Sequence, residues 1–236
     1  MINKNSPIKI LHFDLETIPS GSIDDFEVKV PKTYKKEEAI EKYIEENKVE
    51  QFRKRSVNTS TADIVAASIA AGDGDILSFS VDPDSELTER ELMEDFSDYV
   101  LSEAVYVDDD GTRAYTIYWC GFRIRDYDLN IIFKKAIKYK LYDLAKLIPR
   151  GSYDKRVIDL FELWTGSKMM DPKGGNKMKD VREYLGLEGK TAGMDGSMVY
   201  DYYLDGKIEE IAHYCDCDVE EEREIFKLLE PGISLW

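Results

Sequence analysis

The sequence predicts an α/β domain in which a mixed central β-sheet is flanked by α-helices, with a helical insertion after the first strand. Three observations lead there. The apolar run Ile8-Lys9-Ile10-Leu11-His12-Phe13 and two later segments joined by Gly72-Asp73-Gly74-Asp75 have the composition of strands. Tyr115 to Cys120, rich in β-branched and aromatic residues, forms a further strand that leads into a helix. The rest of the chain is dominated by helical periodicity, so helices must cover the sheet.

In chain order, the first strand ends in Asp14-Leu15-Glu16, and the chain then turns at Pro19-Ser20-Gly21. Residues 21–62 read as an insertion, in which Ala39, Ile40, Tyr43, Ile44, Val49 and Phe52 give a helix with a thin apolar stripe. Ile64 to Ala71 and Ile76 to Val81 form a hairpin. Thr88 is placed to cap a helix from about Glu89 to Leu101, whose apolar positions are Leu92, Met93, Phe96, Tyr99 and Val100. After Tyr115 to Cys120, a helix starts near Tyr127. The pattern over Val157 to Leu163 suits a strand and also a helix. Helices follow over Lys179 to Tyr184, Ser197 to Tyr203 and Ile208 to Leu229, the last stopped by Pro231-Gly232.

The chain has 236 residues, 43% of them apolar, enough to bury the core of one domain spanning 1–236, with 231–236 as a short apolar tail. No apolar stretch approaches the roughly 20 residues of a membrane span, and the N-terminus lacks a signal-peptide core, so the expectation is a soluble, cytoplasmic protein without membrane partners. Three cysteines, Cys120, Cys215 and Cys217, with no Cys-x-x-Cys pair, argue against a disulfide framework and against structural zinc. A net charge of -16 counts against a protein that holds nucleic acid by basic surface alone. It is compatible with one that grips phosphates through divalent cations, which bring the positive charge with them. Local basic segments survive the average: Arg53-Lys54-Arg55, the group Lys134, Lys135, Lys138 and Lys140, and Lys173 to Lys179. Each such run is more often just a solvated face.

Asp14 and Glu16 carry the most chemistry. Strand side chains alternate, so the two acids share one face while Leu15 takes the other. Like charges held that close destabilise a fold unless a cation sits between them or one is protonated. Further oxygen ligands have two sources. Asp128 opens the helix after Tyr115 to Cys120, although Asp126 competes with it; Tyr214 and Asp218, four residues apart, share one face of the last helix.

In order and spacing, Asp14-Leu15-Glu16-Thr17-Ile18-Pro19, Gly121-Phe122-Arg123-Ile124-Arg125-Asp126-Tyr127-Asp128, and Tyr214 with Asp218 and Val219 resemble the three exonuclease motifs of the DnaQ-like (DEDD) superfamily. The Tyr four residues before the last Asp resembles its DEDDy branch. The run Asp-Leu-Glu-Thr-Ile-Pro and Gly193-Met194-Asp195-Gly196-Ser197 look most like predicted 3′-to-5′ exonucleases related to the proofreading domain of family B DNA polymerases.

The resemblance implies a ribonuclease H-like fold in which Asp14, Glu16, Asp128 and Asp218 bind two divalent ions. Mg²⁺ or Mn²⁺ suits such an all-oxygen site. Two such metals, roughly 3.5 to 4 Å apart, activate water on one side of a phosphodiester and stabilise the leaving oxygen on the other. Tyr214 then orients the attacking water. His213, five residues before Asp218, has the spacing of the His-using branch, but a helix turns it about 140° from Asp218, against about 40° for Tyr214. Arg123 stands near the place where relatives often carry Asn. Substrate-contacting candidates are Leu15, Thr17, Ile18, Phe122 and Arg123; Ile18 and Phe122 would pack against the terminal base or sugar, although core packing is the better reading of each. The expected reaction is release of nucleoside 5′-monophosphates from single-stranded DNA 3′ ends, in proofreading, repair or replication. RNA is the alternative substrate, in the manner of ribonuclease D. A separate DNA polymerase or replication protein is the expected partner, with Pro231 to Trp236 as the segment to dock it. A non-catalytic interaction module that keeps the fold is the reading from outside enzymology, and intact acids in all three motifs argue against it.

Overall fold

The computed structural model describes residues 7–81, 88–108, 111–166, 177–188 and 193–233. Five strands form the main sheet: β1 (Ile8–Pro19), β2 (Ala62–Ala71), β3 (Leu77–Ser80), then, after a small separate hairpin of β4 (Val105–Asp108) and β5 (Gly111–Ala114), β6 (Thr116–Gly121) and β7 (Val157–Asp159). Their order is β3-β2-β1-β6-β7, with β2 antiparallel to both β1 and β3, and β6 parallel to both β1 and β7. The fold is therefore the mixed, helix-flanked α/β sheet that the strand pattern predicts.

The helices are α1 (Glu37–Arg53), α2 (Glu89–Glu103), α3 (Asp128–Tyr139), α4 (Tyr142–Leu147), α5 (Leu160–Thr165), α6 (Met178–Leu185), α7 (Val199–Leu204) and α8 (Ile208–Leu229). Short 3-10 turns cover Gly196–Met198 and Glu230–Gly232. Thr88 caps α2 in a reciprocal capping box with Glu91. The segment with two readings divides: Val157–Asp159 pairs with β6, and Asp159 then caps α5 by accepting from the backbone of Phe161 and Glu162. The β4–β5 hairpin and α4 are elements that periodicity does not disclose, because four-residue strands and a six-residue helix are shorter than the window in which a period is visible. Among the described residues no helix is long and apolar enough to cross a membrane.

The central strand β1 is covered on both faces. Leu11, Phe13 and Leu15 point into a core shared with Trp119, Phe96, Ile131 and Leu144, where the Phe13 and Trp119 rings meet edge-on at 5.1 Å. On the other face lie His12, Asp14 and Glu16. Directly opposite them on β2 stand Ala70, Ser68 and Ala66, and residues in such cross-strand pairs share a face. These three are small, so α8 can lie close across β1, β2 and β3. It is fastened there by Asp216, which accepts from the Ser68 hydroxyl at 2.7 Å and from that of Ser78. Residues 231–233 of the apolar tail are described, and its last three residues lie outside the described chain.

Candidate metal centre

Pairing between β1 and β6 ends at His12–Cys120, two residues before Asp14, so β1 projects its acids past the end of its parallel neighbour. Pairing with β2 continues to Pro19, with a bulge between Glu16 and Thr17, a device that re-aims side chains beside functional sites. Above this end lies α8. Asp14, Glu16 and Asp218 each offer a carboxylate oxygen, and these oxygens all lie within 4.8 Å of one another. Cys215, one helical turn before Val219, packs its thiol 3.3 Å from the Asp14 carbonyl and sets the helix against the strand.

Asp128 opens α3 and is buried. It stands outside that trio, but its charge is felt by Asp14 and Glu16. Burial first, and the neighbouring negative charges second, push Asp14 and Asp218 up to about 8 and Glu16 well above the usual carboxylate range. Burial likewise raises Asp128 to about 8. Asp126, the competitor, is exposed and lines a separate polar cleft with Arg125 and Arg150. Raised carboxyls converging on one point are what a cation site looks like without its charge.

Tyr214 stands beside Asp218 on the same face of α8, and burial together with the carboxylate charges holds the phenol far above its ordinary value. Both residues line a cavity of about 770 Å³ shared with Lys177, Lys179, Arg182 and Met194. His213 is exposed on the neighbouring face of α8, its ring 3.8 Å from the Cys217 thiol. Of the basic segment Lys173 to Lys179, Lys177 stands at the N-cap position of α6 and Lys179 lies in its first turn, and residues 173–176 lie outside the described chain.

The proposed substrate contacts occupy other places. Leu15 and Ile18 are in the core. The Thr17 and Tyr127 hydroxyls both lie within hydrogen-bond reach of the Ser56 carbonyl, Thr17 at 2.9 Å, and their oxygens are 2.8 Å from each other. The insertion thus rests on the neighbours of Glu16 and Asp128. Phe122 packs edge-on against Phe161 at 5.9 Å, and the Arg123 guanidinium lies 4.1 Å over that same ring. Arg123 adopts φ +66°, a left-handed conformation uncommon for a residue other than Gly, Asn or Asp.

One group was not foreseen. Glu222, one turn beyond Asp218 on α8, is 1% exposed and accepts from the Phe122 backbone N–H at 2.6 Å. Its position in the i, i+4, i+8 series Tyr214, Asp218, Glu222 was the signal available in the sequence.

A family model for predicted 3′-5′ exonucleases related to the exonuclease domain of PolB matches residues 57–222. The match includes Asp128, Tyr214 and Asp218 and begins after Asp14 and Glu16. Among solved structures, the family B DNA polymerase of the hyperthermophilic archaeon Pyrobaculum calidifontis is similar in fold, with TM-score 0.58 and 16% identity over 95% of this chain and 25% of the polymerase. E. coli exonuclease I, in complex with a dT13 oligonucleotide labelled 5cy, gives TM-score 0.49 and 10% identity over 96% of this chain and 41% of the enzyme. The chain therefore spans a quarter of the polymerase and under half of exonuclease I. No curated protein sequence matches it.

Proposed function

The chain belongs to the family of predicted 3′-5′ exonucleases related to the exonuclease domain of PolB, and from that premise we propose that it is a metal-dependent exonuclease that hydrolyses DNA from single-stranded 3′ ends to nucleoside 5′-monophosphates. The observation that carries this reading is the convergence of Asp14, Glu16 and Asp218 oxygens within 4.8 Å of one another, with Asp128 buried close by.

The donors fit a hard divalent cation: they are carboxylates, with no His or free thiolate among them, which favours Mg²⁺ or Mn²⁺ over zinc. Asp14, Glu16, Asp128 and Asp218 would hold two such ions. When bound, ions in such sites stabilise charge developing on a phosphodiester and lower the pKa of water. The remaining roles fall to the chain itself. Tyr214, kept as a neutral phenol, orients a water by hydrogen bonding and leaves proton acceptance to stronger bases. The cavity beside it has the size of a ligand site, and Lys177 and Lys179 on its wall offer charge to a phosphate backbone. An unpaired 3′ end is preferred because the last nucleotide must leave its stack to enter. Residues 1–236 act as one domain in this account, with 21–62 as an insertion seated on Thr17 and Tyr127 through Ser56. A DNA polymerase or replication protein is the partner that a proofreading role requires.

The test is digestion of matched 5′-labelled DNA and RNA oligonucleotides in Mg²⁺ and in Mn²⁺. A shortening DNA ladder with 5′-mononucleotide products is expected. Digestion of RNA alone transfers the activity to an exoribonuclease, and digestion of neither overturns the proposal.

A further inference from the structure

The segment that delivers Asp128, residues 122–127, belongs to neither strand nor helix, so its backbone amides need acceptors from elsewhere. Three of them find buried carboxylates. Phe122 N–H donates to Glu222 Oε1 at 2.6 Å, Arg123 N–H to Asp159 Oδ1 at 3.2 Å, and Arg125 N–H to Asp159 Oδ2 at 3.1 Å. The carbonyls of Arg125 and Asp126 are in turn bound by the Asn130 side chain at 3.2 and 3.0 Å. Glu222 and Asp159 are 1% and 4% exposed.

Such burial is costly for an acid, and most of all here. Glu222 sits in the field of Asp14, Asp218 and Asp128, and among the described residues its second oxygen, Oε2, has no hydrogen-bond partner. An apolar side chain would fill the space without that cost. What it would not supply is an acceptor for the Phe122 amide. Gly121 shows how tight this junction is: a Cβ there would stand 2.8 Å from the Phe13 carbonyl and 3.3 Å from Glu222 Oε1, so strand, loop and α8 meet with no room to spare.

We propose that Glu222 and Asp159 are positioning residues that sling the 122–127 loop from α8 and from the end of β7, and so set where Asp128 stands relative to Asp14, Glu16 and Asp218. Asp159 does two things at once: its Oδ1 also caps α5 through Phe161 and Glu162, while its Oδ2 serves Arg125. Glu222 ties the same loop to the helix that carries Asp218. The consequence for metal binding rests on the exonuclease reading above; the loop-holding role does not.

The test is amide hydrogen exchange over 121–128 in the metal-free full chain, alongside the Mn²⁺ concentration giving half-maximal digestion of a 5′-labelled DNA oligonucleotide. Glu222→Leu should speed exchange in this segment about tenfold or more while β2 peptides stay protected. It should also raise the half-saturating Mn²⁺ about 10- to 100-fold, the scale seen when residues that orient metal ligands are lost. Glu222→Gln keeps an acceptor oxygen and should return both readouts to within about threefold of wild type. Unchanged exchange in Glu222→Leu, or a Gln variant no better than the Leu one, overturns the proposal. If Glu222→Leu does not fold, Asp159→Asn decides. It retains Oδ1 and the α5 cap, so exchange should rise at Arg125 and not at Phe161; the proposal fails if Arg125 stays protected. Wild-type protein that digests nothing refutes the exonuclease reading, while the exchange results still decide this one.

Discussion

Asp14 on β1 and Asp218 on α8, drawn from opposite ends of the chain, bring carboxylate oxygens within 4.8 Å of each other, with an oxygen of Glu16 inside the same limit of both. The metal-free protein must keep these acids partly protonated or accept their repulsion, and its behaviour with pH follows from that.

Stability should fall as pH rises. Asp14, Asp128 and Asp218 are pushed up to about 8 by burial, from ordinary values of about 4. The native state therefore binds more protons than the unfolded chain between about pH 4 and about pH 8, and the slope of stability with pH is negative there. This contribution is fully present below the unfolded value and is lost as pH climbs through the folded one. Mn²⁺ should raise the melting temperature strongly at pH 8 and little at pH 5. Melting scans with and without metal check this, and a melting temperature indifferent to metal at pH 8 contradicts it.

Asp218→Asn should separate stability from activity. Removing one charge relieves the repulsion, so the metal-free variant should be more stable at pH 8 by about 1–3 kcal/mol, the usual scale of single substitutions. Exonuclease rate should fall by at least about 10³-fold, because a removed ligand disables the metal chemistry. Urea unfolding and a gel assay read the two effects.

Tyr214→Phe should lower kcat about 100-fold, the lower range for a group that handles water and protons, with Mn²⁺ affinity nearly unchanged. His213→Ala should leave the rate within about twofold of wild type, since that ring is exposed and turned away. Single-turnover digestion of both variants tests the assignment, and a larger loss in the His213 variant reverses it.

Arg182 is 3% exposed and pairs with Glu221, which is 4% exposed and lines the cavity beside Asp218. Arg182→Met strands that carboxylate and should cost about 3–5 kcal/mol, whereas adding Glu221→Leu should recover most of the loss. A double-mutant cycle in urea measures it.

How much of this was legible in the sequence depended on the range of the interactions involved. The helix Ile208–Leu229 has 22 residues of sustained period, and its predicted bounds coincide with those of α8. Val157–Asp159 and Leu160–Thr165 are too short for either period to be seen, and Asp159, where one becomes the other, is recognisable as a cap only once its contacts exist. Among the acids, the alternation of Asp14 and Glu16 is a local fact of strand geometry. The role of Glu222 is not local, because the amide it satisfies belongs to Phe122, which only the tertiary fold brings beside it. Thr17, Leu15 and Ile18 adjoin the acids in sequence but are taken up by the core and by Ser56, since alternate positions of a covered strand face different neighbours.

The most direct test of the central claim, that these carboxylates form a divalent-cation centre, is calorimetric titration of Mn²⁺ into the full chain at pH 8. The account predicts saturable binding in the wild type that is weakened at least about 100-fold in both Asp14→Asn and Asp218→Asn, variants that lose a ligand from different ends of the chain. Wild-type protein that binds no Mn²⁺, or binds it as well after both substitutions, would contradict it.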